Sequence, residues 1–284
     1  MINKLKKINS IINSDTQLRL GVYGIIFFLL VVMLAPVIST HDPYNYGPDV
    51  LNKISENDHI LGTNNMGQDI FSMIIYGART SLMVAVISAL ISGILGVFIG
   101  GISGYFGGRI DHFVSEIINV FMMLPTFFLI LLIIALFGNS ITNVMIVIGL
   151  TTWPSNAKLM RAQALSLRER TFVKGAVAMG ENQRQILTKY IIPNGVFPVV
   201  ANTTVGMSNA ILTEASLSFL GLGDPNIISW GQMIQAGKAY ITSAWWITTF
   251  PGIAIVITVT IFYLLGDGLN HVLNPKHMTM KGGK

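Results

Sequence analysis

The chain contains no cysteine and very little charge. Without cysteine among its 284 residues, it cannot form a disulfide framework, a zinc–thiolate site or a cysteine nucleophile. Charged residues make up 11% of the chain, against roughly 25% in ordinary soluble domains. Hydrophobic residues make up 52%, and the mean hydropathy is +0.62. This balance excludes a soluble globular domain and indicates an integral membrane protein.

Motifs for enzyme chemistry are also missing. There is no G-x-x-x-x-G-K-[ST] loop, so the chain is not itself a nucleotide hydrolase. No paired carboxylates or histidine-based nucleophile stand at usable spacing, so we expect neither enzyme activity nor a bound cofactor. The net charge of +5 reports membrane topology, and we expect no nucleic-acid partner. The histidines are scattered and predict no metal-ligand cluster; they are His41, His59, His112, His271 and His277.

Six apolar runs are plausible membrane spans, although the fourth is short, and none shows β-alternation. We therefore predict an all-α membrane protein, because backbone groups in lipid must pair within their own segment. The first run is too long for a signal-peptide core of about 7–15 residues, which favours an uncleaved span over a cleaved signal. The predicted spans are Leu20–Ile38, Thr80–Ile102, Phe113–Phe137, Ile141–Trp153 (continuing as helix to Leu165), Pro193–Leu220 and Ile247–Leu265.

The distribution of charge predicts the orientation of these spans. The N-terminal segment is basic, the segment 41–77 carries five acids and one lysine, and the segment 155–189 carries seven basic residues and two acids. Basic loops stay in the cytoplasm, so both termini are predicted to be cytoplasmic. The predicted divisions are a cytoplasmic N-terminus with the first span (1–40), an extracytoplasmic loop (41–78), a transmembrane domain (79–270) and a cytoplasmic tail (271–284).

The basic segment 155–189 is patterned as helix. Ser166 and Glu169 have the spacing of a capping box, and Gly180 is placed to end the helix that follows. A second helix is predicted over Gln183–Ile191. An apolar stripe is predicted from the spacing of Phe172, Val173, Ala176 and Met179. The residues alone leave open whether this helix rests on lipid head groups or docks on a partner.

Small and polar residues within the spans give further candidates. Gly96, Gly100 and Gly104 stand four apart, which favours packing within the chain over contact between subunits. Glu214 is costly in a membrane unless it is paired or faces water. It is either a carboxylate of a translocation path or subunit interface, or a hydrogen-bonded tie between elements. Met122, Met123 and Pro125 either line a pore or serve packing.

The basic segment resembles the coupling-loop motif of ATP-binding-cassette (ABC) importer permeases, E-A-A-x3-G-x9-I-x-L-P. The matching positions include Ala176, Gly180 and Pro193, with the motif's spacing kept. Lys174 stands at the motif's glutamate and Gly175 at its first alanine.

Other stretches resemble one branch of these permeases. His59–Thr63, Gly67–Asp69 and Ile75–Arg79 are similar to the H-P-L-G-T-D-x-x-G-R-D … Y-G-A-R signature of dipeptide, oligopeptide and nickel importer permeases. Glu214–Gly223 is similar to the end of their fifth span. The single long N-terminal span and the modest loop after it resemble the "C" permease of the pair.

The resemblance implies a six-helix type I importer permease in the cell inner membrane. It implies a second homologous permease, two ABC ATPases that bind ATP and magnesium, and an extracytoplasmic solute-binding protein. The expected cargo is peptide, with nickel, cobalt or a metal chelate as the alternative. An ion-coupled carrier that works alone and a scaffold without transport are more distant readings, and we see no inverted repeats. The implied coupling residues are Phe172, Val173, Lys174, Gly175, Ala176, Met179 and Gly180.

Overall fold

The computed structural model describes residues 12–273, and within them the protein is helical, with no strand beyond two isolated bridges. The predicted all-α class is thereby confirmed. The basic residues Lys4, Lys6 and Lys7, His277 and nearly all of the predicted tail lie outside the described residues. The helices are α1 (Thr16–Met33), α2 (Ala35–Ile38), α3 (Ile70–Phe106), α4 (Gly108–Met123), α5 (Thr126–Phe137), α6 (Ile141–Arg168), α7 (Thr171–Ala178), α8 (Gln183–Ile186), α9 (Ile192–Gly195), α10 (Phe197–Phe219), α11 (Trp230–Gly237) and α12 (Trp246–Leu273).

Helix α3 is the longest element of the fold. Its 37 residues extend about 55 Å at the α-helical rise. It begins well before the predicted span Thr80–Ile102, because the Asp69 side chain caps it by accepting from the Ser72 backbone N–H at 2.8 Å. The end of the predicted loop 41–78 is therefore helical from Ile70 onward.

Glycines set the close approach of α3 and α6. A β-carbon at Gly100 would overlap the carbonyl group of Ala157, and one at Gly96 would overlap the side chain of Asn156. At Gly104 it would stand 2.5 Å from the Arg161 carbonyl oxygen. The doubled G-x-x-x-G thus serves packing within the chain, as the sequence favoured.

Helix α12 lies between α1 and α10 and joins the N-terminal helix to the bundle. A β-carbon at Gly21 of α1 would stand 2.6 Å from the Leu265 backbone. On another face of α12, a β-carbon at Gly266 would stand 2.9 Å from the Val205 nitrogen of α10. Small residues at both crossings let helix backbones approach in the absence of a hydrophobic force between helices in lipid.

The predicted count of six spans is supported only in part by residues 12–273, which are the residues that the structure describes. By length and composition, α1, α3 and α12 are apolar enough to cross a membrane. Two bent pairs bring the number to five at most, and α6 is not among them. The predicted span Phe113–Phe137 is not one helix, because α4 and α5 meet at an 86° bend. Leu124 and Pro125 break it, since proline cannot continue the helical hydrogen bonds.

The predicted fifth span is bent as well. In the structure, the corresponding helical segment starts at Gln183 and turns by 56° between Gly195 and Phe197. The helix predicted over Gln183–Ile191 is present: it begins as α8 and continues as a π-helical segment, Leu187–Ile191, which leads into the Pro193 turn. Pro198 then begins α10 in the first turn, where its missing N–H costs nothing.

The segment between α2 and α3, residues 39–69, is a folded loop held against the helices. We call it the 39–69 loop. The indole N–H of Trp246 donates to the Thr63 carbonyl oxygen at 3.2 Å, and both are buried. At the other end of α3, the Arg168 guanidinium donates to the Tyr105 carbonyl oxygen at 3.3 Å. The 39–69 loop and α7 therefore lie at opposite ends of α3.

Candidate functional site

Helix α7 ends in a Schellman motif built on Gly180. The Glu181 N–H donates to the Ala176 carbonyl oxygen at 3.1 Å, and the Gly180 N–H donates to that of Val177 at 3.0 Å. Gly180 has a φ of +77°, a conformation that only glycine adopts without strain. The predicted role of Gly180 as a C-terminal cap is confirmed.

The predicted capping box at Ser166 and Glu169 is wrong. Helix α6 continues through Ser166 to Arg168, and Glu169 is its C-terminal cap residue. Burial of Met160 and Ala164 on the same helix favours this continuation over a local cap. The capping box lies instead at Asn182 and Gln185, whose N-x-x-Q spacing is a signal that the sequence reading missed.

The predicted single apolar stripe on α7 is divided between two faces. Val173 and Ala176 are each 1% exposed and pack in a cluster of the chain's own hydrophobic residues. Phe172 and Met179 are 47% and 76% exposed, and Val177 is exposed beside them. We call these three the exposed apolar patch. The buried pair attaches α7 to the bundle, so only the patch and the residues around it are available to a partner.

Lys174, which replaces the motif's glutamate, is paired within the chain. Its ammonium lies 2.9 Å from the Glu169 carboxylate, and both groups are mostly exposed. The hydrogen bond from Lys174 lowers the pKa of Glu169. Gly175 is exposed, and a β-carbon there would meet nothing within 4 Å. The charge reversal therefore leaves α7 intact and pairs it with the end of α6.

Glu214 forms a buried tie between α10 and the segment before α11. It is 2% exposed, and its Oε1 accepts from the hydroxyls of Ser218 and Ser229, each at 2.7 Å. Its Oε2 is buried with no hydrogen-bond partner. This geometry matches the structural alternative for Glu214, whereas a role in a translocation path or subunit interface stays a prediction. Ser229 was not singled out from the sequence.

Replacing Glu214 by glutamine should leave the folded protein and its activity nearly unchanged, because the amide oxygen still accepts from both serines. Replacing it by alanine should lower the stability of the protein by about 1–3 kcal/mol, since both hydroxyls lose a buried acceptor. Thermal unfolding in detergent measures the difference between the variants. A glutamine variant that is fully stable but inactive would contradict the structural role of Glu214. It would instead support a role of the Glu214 carboxylate in the translocation path.

Met122, Met123 and Pro125 lie at the bend between α4 and α5. All three are exposed on the outside of the chain, with Met123 the most exposed of them. They do not belong to the chain's own core, so packing against other residues of this chain does not explain them. Their place on a path or at a subunit interface stays a prediction.

A cavity of about 250 Å³, lined by both polar and apolar groups, lies between α3, α6 and α10. The Asn156 amide donates to the Ser92 hydroxyl at 2.9 Å, and the Asn202 amide donates to Asn156 Oδ1 at 2.8 Å. Asn209 and Ser155 also line the cavity and are exposed at its open side. The sequence reading missed this site, although asparagines within apolar spans were a signal for it.

Two of the histidines come together, which corrects the prediction of scattered residues. His41 and His59 stack with their ring centroids 4.4 Å apart, and His59 Nδ1 lies 2.9 Å from Asp69 Oδ1. His112 lies elsewhere, on α4, and His271 pairs with Asp15 near the far end of α12. The cluster belongs to the 39–69 loop and is distinct from the cavity.

The helical fold has a counterpart among solved structures. It is similar to a chain of the MetNI methionine ABC transporter in an inward-facing conformation, with a TM-score of 0.56 and 17% identity. The match covers 71% of this chain and 96% of that chain. A family model described as "Binding-protein-dependent transport system inner membrane component" matches residues 96–278, and the chain belongs to this family.

Curated relatives cover nearly the whole chain. The dipeptide transport system permease protein of Alkalihalophilus pseudofirmus is 35% identical over 265 residues, covering 91% of this chain and 86% of the relative. The Escherichia coli K12 dipeptide transport system permease protein is 36% identical over 266 residues, covering 90% and 89%. The resemblance to dipeptide and oligopeptide importer permeases is confirmed. The chain is an inner-membrane permease component, and its family implies an ATPase and a solute-binding protein as partners.

Proposed function

We propose that this chain forms half of the translocation path of an ABC importer for short peptides. The observation that carries the proposal is the cavity between α3, α6 and α10. Its lining contains asparagine amides and serine and threonine hydroxyls beside apolar residues such as Ile148 and Val205, and no charged side chain. The names of the curated relatives, which are dipeptide and peptide permeases, support the choice of cargo.

The cavity has the chemistry for a peptide backbone. Asparagine amides and serine hydroxyls offer both donors and acceptors, and so do the N–H and C=O groups of a peptide. Such contacts do not depend on the side chains of the cargo, which suits an importer of varied peptides. Asn209 lies at the middle of α10 and is exposed, a costly position against lipid tails. Water, cargo or a second permease therefore has to cover it.

A second homologous permease completes the path on the open side of the cavity. Met122, Met123 and Pro125 then lie at or near the interface of the pair. Of the two ATPases, one acts through α7 of this chain, with the exposed apolar patch, Lys174, Gly175 and Gly180 presented to the ATPase cleft. Closure of the ATPases moves α7 and alternates access to the cavity.

The orientation follows from charge and completes the proposal. Both termini and α7 face the cytoplasm, and the 39–69 loop faces the solute-binding protein. The divisions proposed from sequence (1–40, 41–78, 79–270 and 271–284) are retained, with α3 reaching into the second of them.

Nickel, cobalt or a metal chelate remains the alternative cargo. Competition by unlabelled dipeptide against labelled dipeptide uptake, compared with competition by the metal, separates these cargoes.

A cysteine placed at Asn209 should react with a charged, water-soluble thiol reagent, because the cavity is wet. The natural chain has no cysteine, so single replacements report cleanly. A cysteine at Val256, which is exposed on the apolar surface of α12, should not react, since thiols in lipid do not ionise. Labelling is measured by mass shift in the assembled transporter. Cargo with ATP should change the labelling rate of Asn209→Cys.

Equal labelling at both positions would contradict the assignment of the path. So would labelling of Asn209→Cys that is unaffected by both cargo and ATP, since a transport path must change its exposure during the cycle. Uptake that continues when the partner ATPases are inactivated would instead support the alternative that the chain is an ion-coupled carrier.

A further inference from the structure

The 39–69 loop brings three metal-ligating groups to one point. The Nδ1 atoms of His41 and His59 both face Oδ1 of Asp69, at 3.9 and 2.9 Å. One ligand atom from each residue lies within 4.8 Å of the other two. These residues are separated by up to 28 positions in sequence, and the fold of the loop is what joins them.

The hydrogen bond of His59 to Asp69 does not account for the whole cluster. It explains why His59 is buried, since the pair helps to fix the carboxylate that caps α3. His41 is the outer member of the cluster: its ring stacks on His59, its side chain is 38% exposed, and its Nδ1 lies 3.1 Å from the Thr40 hydroxyl oxygen and 3.9 Å from the same Asp69 oxygen. Two imidazole nitrogens that face one carboxylate oxygen form, together with that oxygen, the geometry of a three-ligand set.

The spacing of the three atoms is close to that of a bound transition-metal ion. Bonds of about 2.0–2.2 Å in tetrahedral geometry place neighbouring ligand atoms about 3.3 Å apart. The observed 2.9 and 3.9 Å distances lie on either side of that value. An ion bound at this point replaces the His59 hydrogen bond to Asp69 and the contact of His41 Nδ1 with the Thr40 hydroxyl.

The remaining groups of the cluster keep the site in place. Asp69 Oδ2 accepts from the Ser72 N–H at 2.8 Å and from the Thr40 hydroxyl at 3.3 Å. The His41 N–H donates to the Ser72 hydroxyl at 3.1 Å. Because the cap uses Oδ2, Oδ1 is available to a metal without loss of the cap. This division of the two carboxylate oxygens anchors the site to the start of α3.

The electrostatic surroundings favour a cation despite the positive end of the helix dipole. A pocket of about 230 Å³ opens beside the cluster, and its lining includes Asp42, Asp49 and Asp58 as well as Asp69. Four carboxylates around one small pocket attract divalent ions and offset the partial positive charge at the start of α3. With three protein ligands, the fourth position of the ion is left to water from this pocket.

We propose that His41, His59 and Asp69 bind a divalent transition-metal ion such as zinc at the start of α3. Two imidazoles and one carboxylate suit zinc, and the borderline chemistry of the ligands also accepts nickel or cobalt. The site is separate from the cavity and lies at the other end of α3 from α7. It goes beyond the proposed transport of peptides, because the ion is held by the loop and is not carried through the path.

The test is zinc binding by the assembled transporter in lipid nanodiscs, followed by titration calorimetry. We expect His41→Gln to remove one zinc equivalent or to weaken that site at least about tenfold. Partner subunits contribute equally to all samples, so the difference belongs to the loop. His112→Gln is the matched control, since His112 is an exposed histidine outside the cluster and its loss should leave zinc binding unchanged.

Dipeptide uptake in the presence of a chelator shows that the variants are folded. We expect His41→Gln to equal the natural chain in that assay, so failure of the metal proposal and failure of the transport proposal give different results. Zinc binding that is the same in all three proteins, or absent from all three, would overturn the site. Loss of zinc binding together with loss of chelator-insensitive uptake would overturn it too, because misfolding then explains both.

Discussion

Replacing Gly100 by alanine should prevent the bundle from assembling. The added β-carbon would overlap the carbonyl oxygen of Ala157 and stand 2.9 Å from its Cα, so backbone opposes backbone and no side chain can move aside. Overpacking costs about 1–3 kcal/mol when side chains can relax, and we expect at least the upper end of that range here. The amount of folded, membrane-inserted chain and its thermal unfolding midpoint measure the effect.

The adjacent glycine supplies the matched control. A β-carbon at Gly101 would make ordinary contacts of 3.6 Å with the Met160 methyl group and 3.7 Å with Ile192. Gly101→Ala should therefore be neutral or slightly stabilising, because alanine favours helix by about 1 kcal/mol over glycine. If the two variants lost similar amounts of thermal stability, the backbones of α3 and α6 would be farther apart at Gly100 than described. A harmless Gly100→Ala would show the same.

Replacing Gly180 by valine should uncouple uptake from ATP hydrolysis while the chain remains inserted. Nothing lies within 4 Å of a β-carbon at this position, so the expected effect comes from the backbone alone. A residue other than glycine at a φ of +77° costs about 1–2 kcal/mol, and a β-branched one costs more. The Schellman motif then opens, α7 loses its defined end, and we expect uptake to fall at least about tenfold, a 1.4 kcal/mol effect.

Two variants separate backbone strain from simple bulk. Gly180→Asn should keep much of the uptake, since asparagine tolerates the left-handed conformation better than other residues. Gly175→Ala should keep all of it, since that position is exposed, open and helical. Uptake is measured with the ATPases shown to be present on the purified complex. Normal uptake by Gly180→Val would remove α7 from the coupling mechanism.

Features that repeat along one helix were readable from the sequence. The apolar runs indicated the helical class, and the spacing of Gly96, Gly100 and Gly104 indicated a close helix crossing, because residues four apart return to one face of a helix. Gly180 was predictable because its role depends on the local backbone. Pro125 carried the signal for the bend, yet the apolar run around it reads as continuous when only hydropathy is considered.

Features that depend on which elements meet were not readable. The pattern of Phe172, Val173 and Met179 is apolar throughout, and only packing against the residues before α9 decides that Val173 is covered. His41 and His59 are 18 positions apart in a segment without periodicity, so nothing local predicts that their rings stack. The cavity needs three helices at once, and Asn156 meets Asn202 only after α6 and α10 have packed.

Helix α3 is continuous and joins the 39–69 loop at its N-terminal end to the α6–α7 connection at its C-terminal end. The helix contains no proline over its 37 residues, so a push along its axis at Asp69 reaches Tyr105, where Arg168 is attached, with little lost to bending. The sharp bends of the fold lie instead in the pairs α4–α5 and α8–α10. A metal ion that rigidifies the N-terminal end of α3 therefore also restricts the motion of α7 at the C-terminal end of the same helix.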